Sequence, residues 1–344
     1  MKIGFLGYGS IAHSHARAIR ALRDEGHDLE MYGVMGRLAD ATAEFAREYG
    51  VPVATTSLDE LLADPALDAV IVCSPSDAHA AQTEAALRAG KHVLCEIPLA
   101  LSLAETDALT ALADRTRRTL MVCHTQRFYS PLIEARRMIA AGELHPHAIV
   151  SRYMFGRRAN VNWQGRQRSW TDNLLWHHGC HAVDAALWLL GVAESGEEVE
   201  VSAQLALPGG NLDIPMDLVV TMRTARDQLA TVAMSYNIHF PVHDYLVIGE
   251  ETTLLYADNQ LRDKDRVLVD RGDPDELTKP IALQDAEFFA AIREGRAPSV
   301  SGRAVRPAMF ALQRAQDSLD ARLRELGAEA RHPQPPIKRA ARHL

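Results

Sequence analysis

The chain has 344 residues, of which 47% are apolar and 24% charged, and its net charge is −8. This length favours two domains, and the composition is that of an ordinary globular protein. A net negative charge without a basic stripe argues against nucleic acid as a partner. No apolar run reaches membrane-spanning length and the N-terminus does not resemble a signal peptide, so we expect a cytoplasmic protein without a membrane partner.

Four cysteines are scattered along the chain, at positions 73, 95, 123 and 180. They mostly occupy apolar or strand-like settings. We therefore expect reduced, buried thiols rather than disulfides or a metal cluster.

The N-terminus predicts a dinucleotide-binding turn. Lys2–Leu6 is a short apolar run typical of a buried parallel strand, and apolar residues recur at helical spacing from Ala16 onward. Between them stands G-x-G-x-x-A, in which the first glycine permits a tight turn and the second lets a pyrophosphate approach the backbone. The helix N-terminus supplies free N–H groups. The residues expected to bind the cofactor here are Gly7, Gly9, Ser10, Ile11 and Ala12.

The end of the second predicted strand, Leu29–Met35, indicates which dinucleotide binds. An NAD-specific site normally carries Asp or Glu there for the ribose 2′-hydroxyl, whereas a guanidinium suits a 2′-phosphate. This chain has Gly36 and Arg37 and no acid. We therefore expect NADP, with Gly36 and Arg37 in its site; use of NAD stays open, as does a merely solvated role for Arg37.

The remaining pattern predicts two domains and a tail. Up to residue 123 strands and helices alternate, which predicts a Rossmann domain with a doubly wound parallel sheet over 1–123. From 124 to 328 helices and several β-rich runs predict an α+β domain with an open, mostly antiparallel sheet. Its predicted strands are 199–207, 218–223, 229–236, 245–248 and 266–269, and its last helices are 283–293 and 304–326. Prolines and basic residues predict a flexible tail over 329–344.

Three motifs together resemble one protein family. They are G-x-G-x-x-A at the start, GKHVLCEIP over residues 90–98 and G-x-H-x-x-D over residues 179–184. The chain up to residue 328 is thereby similar to the glucose-fructose oxidoreductase and inositol dehydrogenase family (Gfo/Idh/MocA). The resemblance implies a Rossmann domain joined to an open sheet whose outer face forms the interface of a homodimer or homotetramer. It also implies cofactor contacts at Ser74, Pro75, His79, Glu96 and Ile97.

Two positions depart from the family pattern. Most members have a lysine in the middle of the Glu-x-Pro motif, where this chain has Ile97. Many also have an aspartate four residues before the motif histidine, where this chain has His177. Chemistry that relies on a lysine and an aspartate relay is therefore not expected.

A subgroup of that family accounts for both departures. EIPLA over 96–100, HTQRF over 124–128, RSWTDNLLWHH over 168–178 and LQDAEF over 283–288 resemble dehydrogenases of the protocatechuate 4,5-cleavage pathway. Those enzymes use NADP to oxidise the cyclic hemiacetal of a carboxylated semialdehyde. The resemblance implies a small carboxylated substrate, for which the expected contacts are Glu96, Arg127, Arg168, Trp170 and Asp172.

The histidines fit that chemistry. Oxidising a hemiacetal needs a base for the hydroxyl proton while hydride leaves carbon, and histidine suits this work near neutral pH. If residues 174–190 are helical, His177, His181 and Asp184 share one face and His178 is rotated away. We expect His181 to be the base or proton relay and His177 to orient the hemiacetal oxygen, with His178 as a further catalytic candidate.

Arginines and tryptophans supply candidate substrate contacts. Arg127, Arg168 and Arg158 could each grip a carboxylate with two parallel hydrogen bonds, and a surface ion pair is the alternative for each. Trp163 and Trp170 could stack on a flat ring, and packing is the alternative for both.

Several alternatives stay open. His177, His181 and Asp184 could bind a metal, but hydride transfer does not require one and we expect none. The substrate could be another cyclic polyol, sugar or carboxylated diol, or the chain could be a cofactor-binding sensor without turnover. His13 and His15, at the start of the first helix, are expected to contact phosphate or face solvent.

Overall fold

A computed structural model of the protein describes residues 1–157, 159–161, 174–208, 212, 214–272 and 278–329. Five candidate residues lie outside these ranges: Arg158, Trp163, Arg168, Trp170 and Asp172. The predicted tail from residue 330 onward also lies outside them.

The first domain is a doubly wound parallel sheet, as predicted. Its strands are β1 (Lys2–Leu6), β2 (Glu30–Met35), β3 (Val53–Thr55), β4 (Ala69–Val72), β5 (His92–Cys95) and β6 (Leu120–Val122), in the order β3-β2-β1-β4-β5-β6. Its helices are α1 (Ser10–Asp24), α2 (Ala39–Tyr49), α3 (Leu58–Ala63), α4 (His79–Arg88) and α5 (Leu103–Thr116). The strand order reverses between β1 and β4, so the cofactor crevice of such a fold lies above their carboxyl ends.

Local sequence explains these elements. The whole of β4 is buried, in keeping with its uninterrupted apolar run Ala69–Val72. At the start of α5, Ser102 Oγ accepts a hydrogen bond from Glu105 N at 3.2 Å and donates one to Glu105 Oε2 at 2.8 Å. This N-cap fixes where α5 begins and contributes about 1 kcal/mol.

The second domain is built on a mostly antiparallel sheet. Its strands are β7 (Pro146–Met154), β8 (Glu200–Leu205), β9 (Asp217–Arg223), β10 (Leu229–Ser235), β11 (Val242–Gly249), β12 (Thr253–Ala257), β13 (Gln260–Arg262) and β14 (Val267–Asp270). Their order is β14-β13-β12-β11-β7-β10-β9-β8, and within the described ranges β7 and β10 form the parallel pair. The helices are α6 (Ser130–Ala140), α7 (Gly179–Leu189), α8 (Val192–Ser195), α9 (Thr278–Glu294) and α10 (Gly302–Glu329). The predicted fold class is confirmed.

The two faces of this second sheet differ. Along β9, Leu218, Val220 and Met222 are buried and alternate residues are exposed, while α7 packs on β7 and β10 and α10 packs on β8. The outward side chains Val150, Val219 and Leu229 are 42%, 42% and 48% exposed. The outer face of this sheet is therefore partly apolar and is exposed in the single chain.

The last two helices return to the first domain. Helix α9 packs against α1, and α10 packs against α5 and α7. The four cysteines are buried with free thiols, as expected. Across the described ranges no helix combines the length and the apolar character needed to cross a bilayer.

Candidate active site

The turn after β1 has the geometry of a pyrophosphate site. Gly7 has φ +113°, and a Cβ at this position would lie 2.7 Å from the carbonyl oxygen of Cys73, so the position requires glycine. Gly9 caps α1, and a Cβ built there meets no atom within 4 Å. The N-terminus of α1, which begins at Ser10 and has no acid in its first turn, is thus open to an anion.

The rest of the motif supports that turn. Ala12 is fully buried, and its N–H donates to Gly9 O at 2.9 Å. Ile11 packs against the core. At the end of β2, a Cβ on Gly36 would lie 2.2 Å from the ring of Tyr8, and the next residue, Arg37, is exposed. These residues fit a dinucleotide, and the Gly36–Arg37 segment carries no acid.

The turn after β4 is fixed to the loop after β5. His79 donates from Nε2 to Ser74 O at 2.8 Å and from Nδ1 to Pro98 O at 2.7 Å. Burial opposes a charge on His79, but Cys95 and the two carbonyls raise its pKa to about 9. Pro75 immediately precedes the short 3-10 turn there, and Ile97 is buried. The predicted cofactor residues on this side therefore share one edge of the sheet.

His15 is not where the sequence suggested. It is fully buried rather than facing phosphate or solvent. Its Nδ1 donates to the Asp285 carboxylate at 2.8 and 3.0 Å, and its Nε2 donates to Glu96 Oε1 at 2.9 Å. Burial opposes its charge, but the two carboxylates raise the pKa of His15 to about 10. His13 instead contacts Tyr49 Oη at 3.0 Å.

The predicted helix over 174–190 is interrupted at its start. Leu174–His178 forms a π-helical turn, and α7 begins only at Gly179. Such turns change the angle at which side chains project, so simple helical spacing does not hold between His177 and His181. The rings of His177 and His178 nevertheless lie perpendicular, with centroids 4.4 Å apart, just before the N-terminal end of α7.

His181, on α7, lies close to His124, which follows the last strand of the first domain. Its ring lies perpendicular to that of His124, with centroids 5.7 Å apart. Burial first, and then His124, lower the pKa of His181 to about 3, while Glu96 and Asp184 act in the opposite direction. His181 is therefore a neutral imidazole that can accept a proton or a hydrogen bond.

His178 faces the sheet of the second domain. Its Nδ1 hydrogen-bonds with the hydroxyl of Tyr236, and its ring lies 4.2 Å from that of Phe155. His178 thus contacts an aromatic wall that includes Phe155 and Tyr236.

Arg127, which the sequence analysis expected to bind a substrate carboxylate, is paired with a carboxylate of the chain itself. Arg127 Nε and Nη2 donate to the two oxygens of Asp184 at 2.8 and 2.6 Å, and Nη2 also donates to Ala304 O at 3.1 Å. Both side chains are buried. His124 Nδ1 lies 3.4 Å from the same carboxylate. The pair also engages the carboxylate that the alternative metal site needs.

Two further cations of the second domain, Arg157 and Arg271, lie against aromatic rings and were not predicted from the sequence. The guanidinium of Arg157 lies 5.4 Å from the ring of Tyr236, and that of Arg271 lies 4.2 Å from the ring of Tyr129. Arg157 is buried and donates to Asn160 Oδ1 at 3.2 Å. Isolated arginines carry no motif, so only their position after β7 and β14 could have identified them.

His243 completes this aromatic wall. Its ring centroid lies 4.6 Å from that of Tyr153, and burial lowers its pKa to about 3. It follows Val242 at the start of β11, where β-strand alternation alone gives no sign of a functional role.

The sequence is similar to those of known oxidoreductases in both domains. The family described as "Oxidoreductase family, NAD-binding Rossmann fold" matches residues 1–124, and "Bacterial oxidoreductases, C-terminal" matches residues 133–273. The 4-carboxy-2-hydroxymuconate-6-semialdehyde dehydrogenase of Sphingobium sp. (strain NBRC 103272 / SYK-6) is 35% identical over 303 residues, which are 88% of this chain and 93% of that relative. The trans-1,2-dihydrobenzene-1,2-diol dehydrogenase of Danio rerio is 27% identical over 256 residues, 74% and 73% of the two chains.

A solved structure of levoglucosan dehydrogenase in complex with NADH has a TM-score of 0.80 at 19% identity. The match covers 93% of this chain and 97% of that one. This likeness establishes the two-domain fold, and the sequence matches establish the kinship. The chain belongs to the Gfo/Idh/MocA family of oxidoreductases, with an NAD(P)-binding Rossmann domain.

Proposed function

We propose that the protein is an NADP-dependent dehydrogenase that oxidises the cyclic hemiacetal of 4-carboxy-2-hydroxymuconate-6-semialdehyde to 2-pyrone-4,6-dicarboxylate. The observation that carries the proposal is the 35% identity to the Sphingobium dehydrogenase over 88% of this chain. The site supports it, because His181 is buried and neutral and the guanidinium groups of Arg157 and Arg271 lie against aromatic rings of the second domain.

His181 is the proposed base. A neutral imidazole can accept the hemiacetal proton, and a bound nicotinamide would supply the oxidising power by taking up the hydride. A dicarboxylate bound nearby raises the low pKa of His181 toward the working pH, because negative charge favours the imidazolium. His177 orients the hemiacetal oxygen, and Asp184 stabilises the charge formed on His181.

Arg157 and Arg271 take over the role that the sequence gave to Arg127. Guanidinium groups stay charged in a partly dry cleft and bind carboxylates in a directed way. Arg168, Trp170 and Asp172 remain proposed substrate contacts outside the described residues. Arg37 at the end of β2 supports NADP over NAD.

The test is NADPH formation from enzymatically generated 4-carboxy-2-hydroxymuconate-6-semialdehyde, measured by absorbance with NADP and with NAD. His181→Asn should lower kcat/KM by about 10²–10⁴-fold without changing the cofactor Kd. His147→Asn, on an exposed position of β7, is the matched control and should behave as wild type. Turnover of a cyclic diol or sugar in preference to the semialdehyde would refute the substrate, and cofactor binding without any turnover would favour a sensor.

We also propose that copies of the chain associate through the outer face of the second sheet, as a homodimer or homotetramer in the cytoplasm. The exposed apolar side chains Val150, Val219 and Leu229 support this, because monomers rarely leave such a face in water. Analytical ultracentrifugation of wild type and Val219→Lys tests it, and a monomeric wild type would refute it.

A further inference from the structure

Asp285, His15 and Glu96 form one buried chain of hydrogen bonds that joins three distant parts of the sequence. His15 lies on α1, Glu96 directly after β5 and Asp285 on α9. The His15 and Asp285 side chains are 0% exposed, and that of Glu96 is 12% exposed. No step of the proposed hydride transfer uses this chain, so its function is open.

The charges in the chain do not cancel. Both ring nitrogens of His15 are within hydrogen-bond distance of carboxylates, which can only accept, so the ring is an imidazolium between two anions. The unit therefore carries a net charge of −1. Throughout the part of the chain that the structure describes, no Lys or Arg nitrogen lies within 4.0 Å of either carboxylate.

The second buried imidazolium near this edge has both of its N–H groups engaged away from the two carboxylates. His79 donates both of its N–H groups to backbone carbonyls, those of Ser74 and Pro98. A net charge held in a buried site costs free energy unless a group of opposite sign approaches it. The location of Glu96 indicates which group that is.

Glu96 lies on the nicotinamide side of the crevice. In a doubly wound sheet the pyrophosphate binds at the turn after β1, and the adenosine ribose is read at the end of β2. The other nucleotide therefore lies over the half formed by β4, β5 and β6, and Glu96 directly follows β5. Oxidised nicotinamide carries a positive charge, whereas reduced nicotinamide is neutral.

We propose that the Asp285–His15–Glu96 unit selects the oxidised cofactor, by placing a buried net negative charge beneath the nicotinamide half of the crevice. His15 and Asp285 are positioning residues that act through Glu96. NADP⁺ then binds more tightly than NADPH, which favours release of the reduced product. This inference rests on the cofactor of the proposed function and not on its substrate.

The test is the ratio of the Kd of NADPH to that of NADP⁺, measured by calorimetry without substrate. Asp285→Asn keeps an acceptor for His15 but removes one negative charge, and Glu96→Gln removes the charge nearest the crevice. Each should lower the ratio by about tenfold, since one unit charge is removed from a site with little screening. Glu294→Gln, at the exposed end of the same helix α9, removes one charge elsewhere and should leave the ratio unchanged.

A purely structural unit would weaken both cofactor forms by the same factor, and that result would overturn the proposal. If Asp285→Asn does not fold, Glu96→Gln still decides the question. Because no substrate is present, a failed semialdehyde assay leaves this outcome unaffected. The NAD⁺ and NADH pair is measured in parallel, and a wild-type ratio near one for both pairs would also overturn it.

Discussion

The buried pair of Arg127 and Asp184 makes the sharpest prediction, because it decides between a structural and a substrate-binding arginine. Two hydrogen bonds of 2.8 and 2.6 Å join the side chains, which are 5% and 2% exposed. Arg127→Met leaves the Asp184 carboxylate buried without its cation. Removing one partner of such a pair typically costs about 3–5 kcal/mol in unfolding free energy, because the remaining charge is left uncompensated.

That cost translates into a measurable change in melting temperature. An unfolding entropy of about 2.1 cal/mol/K per residue gives the 344-residue chain about 0.7 kcal/mol/K. A loss of 3–5 kcal/mol therefore lowers the melting temperature by about 4–7 °C. The double variant Arg127→Met, Asp184→Leu should recover much of the loss, since both charges are then absent.

The assay is differential scanning calorimetry of the single and double variants without ligands. Arg303→Met, which breaks an exposed ion pair with Asp114, is the matched control and should cost at most about 1 kcal/mol. If Arg127→Met melts like this control but raises KM for a carboxylated substrate, the reasoning fails and Arg127 binds substrate after all.

Three further predictions concern pH and the cofactor. His181 and His243 have pKa values of about 3 in the folded protein and about 6.5 when unfolded. The free energy of unfolding is therefore full above pH 6.5 and falls toward pH 3 by about 1.4 kcal/mol per pH unit for each histidine. The guanidinium midpoints at pH 7.5 and 5.0 should differ less in His243→Gln than in wild type, and an equal difference would contradict this. Arg37→Asp should weaken NADP binding by about tenfold or more but not NAD binding, and equal effects on both Kd values would remove Arg37 from the site. Gly9→Val should keep the melting temperature and lose cofactor binding, whereas Gly7→Ala should lower the melting temperature because its Cβ would meet a backbone carbonyl; the reverse order would be a failure.

The central strand of the second sheet shows what the sequence could not reveal. β7 was not predicted, although it pairs with both β10 and β11. Its inward residue Ser151 is polar and its outward residue Val150 is apolar, the reverse of the usual alternation. Its partners lie more than 70 residues later in the chain, so no local pattern identifies it. Most strands of the first domain were predictable because they are short, largely apolar runs such as the fully buried β4, whereas β3 is only partly buried and was not predicted.

The same distinction holds in the site. Gly7 and Gly9 were predictable because their role depends on the backbone of one turn. The pairing of His15 with Asp285 spans 270 residues, and that of Arg127 with Asp184 spans 57. Motifs identify such residues as candidates but do not show which of them form hydrogen bonds or ion pairs with one another.

The packing of α9 on α1 also affects how the protein is made. A ribosome adds about 5–20 residues per second, so His15 is added to the chain about 14–54 s before Asp285. Throughout that interval the surface of α1 that later contacts α9 is uncovered, and the imidazole of His15 lacks one of its two anions. We therefore expect the N-terminal domain to reach its native state only near the end of translation. We therefore expect a fragment that stops at residue 123 to aggregate rather than fold, because the surface of α1 that α9 covers stays exposed.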